Sequence, residues 1–367
     1  MLYYSNMKKA LFCLSSIIIF LLSGCYSPPV QLNPEITDSA QTETDAEGYG
    51  GAEESVPFEI ELPPPDKNLP VSNFREIWAY LTTGREWALN LNYPITDMVY
   101  TGAEVNSYGK LVDMPNLKRT SSFRGRKHLM AACSGRALTH FVLMEGSSER
   151  KALIRDLLEA AKPYDGLQID FENVPARDGE AFLSFLKDLR SGLGGKIFSV
   201  ALAARTRTLN EDVYDYNKIK PVVDRILVMA YDEHWLTSEP GPIASMSWCQ
   251  RIARYSLETI GTEKLIMGLP FYGMSWGNMN PNRWLSYTNI EGIIKEQKIA
   301  EVKRESGIPY LKYTMPVSVT LYYEDAYSLS ARLDMYKKMG VNQVGFWRLG
   351  QETTAFWSQI GLEKTGP

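Results

Sequence analysis

Two carboxylates, Asp170 and Glu172, stand two residues apart in the run Tyr164-Asp-Gly-Leu-Gln-Ile-Asp-Phe-Glu172. On an extended strand, side chains alternate between faces, so both carboxylates point the same way and Gln168 joins them. A pair of carboxyl groups suits glycosidic cleavage, in which one of them protonates the departing oxygen. Buried carboxylates are costly unless paired or hydrogen-bonded. These polar groups therefore belong at an open end of the fold. The same spacing also fits a structural acidic cluster at a strand end. Glu104, at the end of another apolar run, is a further candidate to line a cleft. Asp232-Glu233-His234 has a metal-like look, and its alternative is a hydrogen-bonded loop. The three histidines are far apart in sequence, and the four cysteines form no CxxC or Cys/His cluster. Neither a metal nor a cofactor is expected, and a Ser-His-Asp triad has no support.

The elements around these residues form a pattern. Short apolar runs occur at Ile77–Leu81, Asp97–Val105, His128–Cys133, Gly166–Phe171, Ile197–Ala203, Arg225–Tyr231, Lys264–Phe271 and Gln343–Trp347. Nearly continuous apolar strands suit a parallel sheet buried on both faces. Between them lie segments with helical apolar spacing, such as Ser148–Lys162 and Ala181–Leu193. Eight strand-helix units in roughly 290 residues match an α/β fold of the (β/α)8 TIM-barrel type. A doubly wound open sheet is the alternative, but no GxGxxG follows the first strand. Barrel enzymes place catalysis at the C-terminal mouth, where Asp170 and Glu172 would stand. About fifty residues, 276–325, separate the last two strands. A helix over Ile290–Glu305 and strands at Tyr310–Thr314 and Ser318–Tyr323 make this a small α+β insertion beside the cleft.

The N-terminus is a separate matter. Lys8-Lys9, an apolar run from Ala10 to Leu22, and Leu22-Ser-Gly-Cys25 read as a signal peptide over residues 1–24. The run falls short of the ~20 apolar residues of a membrane span. From Tyr26 to Pro70 there are ten acidic residues, one lysine and eight of the twenty prolines. Such a composition cannot bury enough surface to offset its ordering entropy, and it reads as an extended tether. The barrel would then occupy residues 71–367. A net charge of −4 gives no reason to expect nucleic acid.

Several motifs carry a resemblance in their order along the chain. Asp165-Gly-Leu-Gln168-Ile-Asp170-Phe-Glu172 resembles the DGxDxDxE signature of family 18 glycoside hydrolases. Met229-Ala-Tyr231-Asp232 is similar to that family's sixth-strand segment, Gly268-Leu-Pro-Phe-Tyr272-Gly273 to the seventh, and Phe346-Trp347 to the eighth. Met229-Ala-Tyr-Asp-Glu-His-Trp235 and Trp347-Arg-Leu-Gly-Gln351 look like the bacterial spore-cortex-lytic glucosaminidase branch, although LysM repeats are not evident. Leu22-Ser-Gly-Cys25 resembles a bacterial lipobox, which implies lipidation of Cys25 and a place in the cell envelope, on the periplasmic or cell-surface side.

The resemblance implies a retaining reaction on N-acetylglucosamine-containing polysaccharide, peptidoglycan or chitin fragments. Glu172 would be the acid, and the substrate's own acetamido oxygen the nucleophile. Asp170 would hold the acetamido N–H, Tyr231 would orient its oxygen, Trp347 would floor the sugar, and Asp232 would support a polar edge. Gln168, Tyr272 and Glu104 complete the expected substrate-binding set. Trp347 and Tyr272 also fit as core aromatics, and Asp165 fits better as a buttress of the fourth strand. Gln168 departs from the family's Asp, and a neutral amide there leaves Asp170 more readily ionised. A monomer is expected. The competing function is a non-catalytic, lectin-like glycan binder, against which Glu172, Asp170 and Tyr231 together argue.

Overall fold

The computed structural model describes residues 69–278, 282–315 and 317–364. The signal segment, Cys25 and the acidic stretch up to residue 68 lie outside the described residues.

Eight parallel strands run in order round a closed barrel: Glu76–Thr82, Asp97–Val105, Arg126–Ser134, Gly166–Glu172, Ile197–Ala203, Arg225–Met229, Leu265–Pro270 and Gln343–Trp347. Closure is shown by the first strand, which pairs with both the eighth and the second. The apolar runs therefore form strands as expected. The sixth stops at Met229, which leaves Ala230, Tyr231 and Asp232 in the loop beyond it. The expected helix after every strand is not realised. Among the described residues, the first two connections carry no α-helix: the first has a 3-10 turn, Glu86–Ala88, and the second a short strand, Leu111–Val112, and a 3-10 turn, Leu117–Thr120.

Inward side chains Trp78, Tyr80, Val99, Met130, Ala201, Leu227 and Ile266 fill the barrel. The larger core lies between strands and outer helices. Helix Gly179–Gly192 shows why: Phe182, Phe185, Leu186 and Leu189 recur at helical spacing and all are buried. The Phe185 ring stacks on Phe171, 5.3 Å between centroids, directly behind the fourth strand. Phe185→Ala should cost about 3–5 kcal/mol. The check is a lower denaturant midpoint at unchanged m.

Between the seventh and eighth strands, five antiparallel strands form a separate sheet: Gly273–Gly277, Arg283–Leu285, Lys303–Glu305, Ile308–Met315 and Val317–Tyr322. It begins slightly earlier than the sequence suggests. Its helix covers Tyr287–Glu296, not Ile290–Glu305. Lys298 takes a left-handed φ of 49° and turns the chain back. Ile293, Ile294, Ile299 and Val302 still pack on one small core with Ile290, Leu311 and Leu321. The apolar spacing persists through a reversal of the chain, and it misled the helix assignment for that reason.

Candidate active site

The fourth strand ends at Glu172, so the two carboxylates stand at the C-terminal mouth. Asp170 is in register with Ala132, and Ala132 with Glu104, which puts these side chains at one level. Glu172 is exposed to the cleft, and Asp170 lies a step deeper and half-buried. Asp170 Oδ1 is buried and has no hydrogen-bond partner. Burial, and then the Glu172 charge, raises the Asp170 pKa. The pKa of Glu172 is raised as well, by desolvation of its carboxyl within the barrel mouth although part of the side chain meets solvent. Two carboxyls this close resist double ionisation, so the pair retains a proton to higher pH than either group would alone.

The backbone around Glu172 is held on both sides. Tyr214 donates to the Phe171 carbonyl at 2.8 Å and accepts from the Val174 N–H at 3.1 Å. Asn173, next in the chain, has a left-handed φ of 58°, and Thr139 Oγ1 bonds its carbonyl at 3.3 Å. Asp232 likewise sits at a φ of 62°. Left-handed non-glycine residues cost energy and persist where the surroundings enforce them. Both flank the mouth.

Tyr231 projects from the loop after the sixth strand into a cluster shared with Trp347, Tyr272 and Trp276. A Cβ on Gly268 would fall 2.9 Å from Tyr231 Cε1 and 2.8 Å from the Val228 carbonyl, so the seventh strand needs glycine there to admit the ring. Burial and the neighbouring Tyr80, Asp170 and Asp232 push the Tyr231 pKa well up, which keeps its hydroxyl a donor. Tyr272 is buried and donates to Asp232. Asp232 is pushed up to about 6, first by burial and then by the Glu172 charge, against the Tyr272 bond. Trp347 meets Tyr80 at 5.2 Å between ring centroids. Its loop is tied back by Leu349 N–H to the Tyr80 carbonyl at 2.9 Å, and the Trp347–Arg348 peptide is cis.

The structure brings Asp170, Glu172, Tyr231, Asp232 and Trp347 to one end of the barrel and places Glu104 exposed at the level of Asp170. Gln168 stands apart from the expected binding set. It is fully buried, its Nε2 donates to Ser199 Oγ at 3.1 Å, and its Oε1 accepts from Tyr80 at 2.6 Å. It is a strut beneath the carboxylates, with both ends of its amide occupied. Relative to an Asp, the neutral amide spares Asp170 one like charge, while burial and the Glu172 charge still raise its pKa. Gln168→Asp adds a negative charge on the same face, so the alkaline limb of the pH–rate profile should move to higher pH. The peak rate should fall by less than that displacement implies. The check is kcat/KM against pH, and total inactivity of a folded variant would make the amide obligatory.

Glu233 and His234 hold their own loop. Glu233 accepts from Ser245 N–H at 2.6 Å and pairs with Ser245 Oγ at 3.0 Å; His234 Nδ1 meets the Pro242 carbonyl at 2.8 Å. Asp165 accepts from the Lys127 N–H at 2.8 Å at the far pole, a buttress and not a sugar contact. Sequence reasoning missed Tyr80, Tyr214 and Trp284. Alternation along the first strand would have found Tyr80, inward with Trp78. Trp284, in the insertion, is 43% exposed and packs 4.6 Å from Tyr272. No local signal announces it.

Residues 77–352 match the model of the family "Glycosyl hydrolases family 18". Among curated proteins, the YdhD glycosylase of Bacillus subtilis is 29% identical over 228 residues, 58% of this chain and 53% of the relative. The cortical fragment-lytic enzyme of Bacillus anthracis is 23% identical over 236 residues, 60% of this chain and 54% of the relative. The chain thus spans about half the length of these relatives. Among solved structures, the spore cortex-lytic enzyme SleL of Bacillus cereus superimposes with a TM-score of 0.71 at 21% identity, covering 81% of this chain and 76% of that one. A chitinase of Chromobacterium violaceum gives 0.69 at 19%, covering 78% and 97%.

Proposed function

Because the chain belongs to the family 18 glycosyl hydrolases, we propose that it is a retaining, substrate-assisted N-acetylglucosaminidase with Glu172 as acid. The observation that carries this is the asymmetry of the two carboxyls: Glu172 is exposed at the strand end, and Asp170 is half-buried beneath it with Oδ1 unpartnered. An exposed carboxyl can reach a leaving oxygen and deliver to it the proton that the pair retains. A recessed one with a free acceptor suits the acetamido N–H of a bound sugar, and in ionised form it stabilises the cation that develops as the ring closes on the acetamido oxygen. Tyr231, kept as a donor, orients that oxygen. Trp347 offers an aromatic face to the apolar side of the pyranose, and Asp232 supports a polar edge. The attacking atom belongs to the substrate, so no carboxylate nucleophile is required.

Peptidoglycan is the favoured glycan, since the relatives include a cortical fragment-lytic enzyme; chitin-type oligosaccharides are the second. The test is digestion of purified peptidoglycan and of chitin oligosaccharides in parallel, with mass analysis of the new reducing ends. Reducing-end N-acetylglucosamine from peptidoglycan is expected. Muramic ends, or no products from either, would reject this reading. The lectin-like alternative predicts saturable binding with no product.

We further propose anchorage through a lipid on Cys25, in the cell envelope. The support is the Leu22-Ser-Gly-Cys25 ending after a short apolar run. Several acyl chains hold a protein on a bilayer, and a bare thiol does not. Cys25→Ser should therefore release the protein from the membrane fraction or leave its signal attached. Identical mass and fractionation of the variant would refute the anchor.

A further inference from the structure

The N-terminal pole of the barrel, opposite Glu172, contains a second concave site. Its cavity of about 770 Å³ opens where the first, third and fourth strands begin, and its lining includes Arg75, Arg124, Arg126, Lys127, Glu76 and Asp165. Four cations against two carboxylates leave the charged lining at +2, on a chain whose net charge is −4. The partners of these groups offset part of that surplus and show which charges stay open. Glu76 is fully engaged: Arg225 Nη2 reaches it at 2.7 Å, Arg126 Nη2 at 3.0 Å, and Trp78 donates to its other oxygen at 2.9 Å. Asp165 is taken up by the Lys127 N–H. Arg126 is itself forked onto Asp97, at 2.6 and 2.7 Å. Arg75 gives Nη1 to the exposed Glu263 at 2.8 Å, and its buried Nη2 has no partner. Among the described residues, neither Arg124 nor Lys127 has an ion pair.

The geometry points to an anion-binding site at this pole that takes a phosphate monoester. The charge selects the class. A phosphate monoester carries about −1.5 to −2 at pH 7 and presents three acceptor oxygens. Its charge answers the two lining cations that have no ion pair among the described residues, Arg124 and Lys127, whereas a carboxylate or a sulfate ester supplies one charge. Guanidinium groups bind such oxygens in a planar fork, and Lys127 adds a compact ammonium. The phosphate can belong to a soluble ester or to a lipid headgroup, and the chemistry is shared. The site lies across the barrel from the catalytic mouth and does not depend on the glycosidase reading.

The full chain is titrated with methyl phosphate and with methyl sulfate, and the amide resonances of Arg124 and Lys127 are followed by NMR. Sedimentation is measured with phosphatidylcholine vesicles and with vesicles that also contain phosphatidic acid. The wild type is compared with an Arg124→Ala, Lys127→Ala double variant, whose glycosidase activity should be unchanged. Methyl phosphate should bind roughly tenfold or more tighter than methyl sulfate, and the double variant should lose roughly tenfold or more. Saturable binding of methyl phosphate identifies a soluble ester as sufficient. Variant-sensitive preference for phosphatidic acid without soluble binding identifies a headgroup. Equal affinity for the sulfate, binding unaffected by the double substitution, or no response in either format would overturn the assignment.

Discussion

Glu172→Gln will lower turnover of N-acetylglucosaminyl glycans by about 10²–10⁴-fold and leave KM within a few-fold of wild type, because general acid help alone contributes that much. In free energy this is about 3–5 kcal/mol of transition-state stabilisation. The amide keeps the shape of the exposed side chain but cannot release a proton to the leaving oxygen. Its backbone remains clasped by Tyr214 on both sides, so the site should stay assembled. The loss must also depend on the leaving group. A 4-nitrophenyl glycoside, whose leaving oxygen needs little protonation, should suffer far less than a sugar leaving group. The measurement is kcat for both substrates in both proteins. An equal loss for the two would mean that Glu172 does something other than proton donation.

Asp170→Asn should reduce kcat by about 10²–10³-fold, the range seen when one preorganised electrostatic group at a charged transition state is removed. The same substitution should stabilise the fold. Asp170 has a folded pKa raised above its ordinary 3.8 by burial and by Glu172. A carboxyl whose folded pKa is raised binds its proton more tightly in the native state. It therefore withdraws stability progressively as pH rises from about 4 towards the raised folded value. Asparagine has no such penalty. The variant should thus gain in denaturant midpoint over wild type at neutral pH and lose that gain near pH 4. Catalytic sites commonly hold groups that stability alone would reject. A variant that loses activity and is also less stable at neutral pH would show Asp170 to be structural.

The barrel was legible because each strand is buried on two faces and so reads as an apolar run. Asp97–Val105 and Gln343–Trp347 even begin and end where the runs do. Asp170 and Glu172 were legible because period-two alternation leaves little choice of face. What was not legible depends on contacts between distant segments. Gln168 looked like a cleft residue by alternation, but depth along the barrel, not facing, decides whether an inward side chain meets substrate. Tyr80 and Ser199 close over it one layer down. Tyr214 acts on Glu172 from the connection after the fifth strand, more than forty residues on. The first two connections lack helices, and length alone could not reveal that.

Substrate assistance is tested most directly by changing the nucleophile and nothing else. In a series of N-acetylglucosaminides whose acetamido methyl carries zero, one, two or three fluorines, the amide oxygen becomes steadily less nucleophilic while the leaving group stays the same. If that oxygen attacks the anomeric carbon, with Glu172 as acid and Asp170 beneath the acetamido group, kcat/KM must fall steeply with each fluorine. A flat series, turned over equally well to the trifluoro compound, would place the attacking atom on the protein or on water and contradict the mechanism.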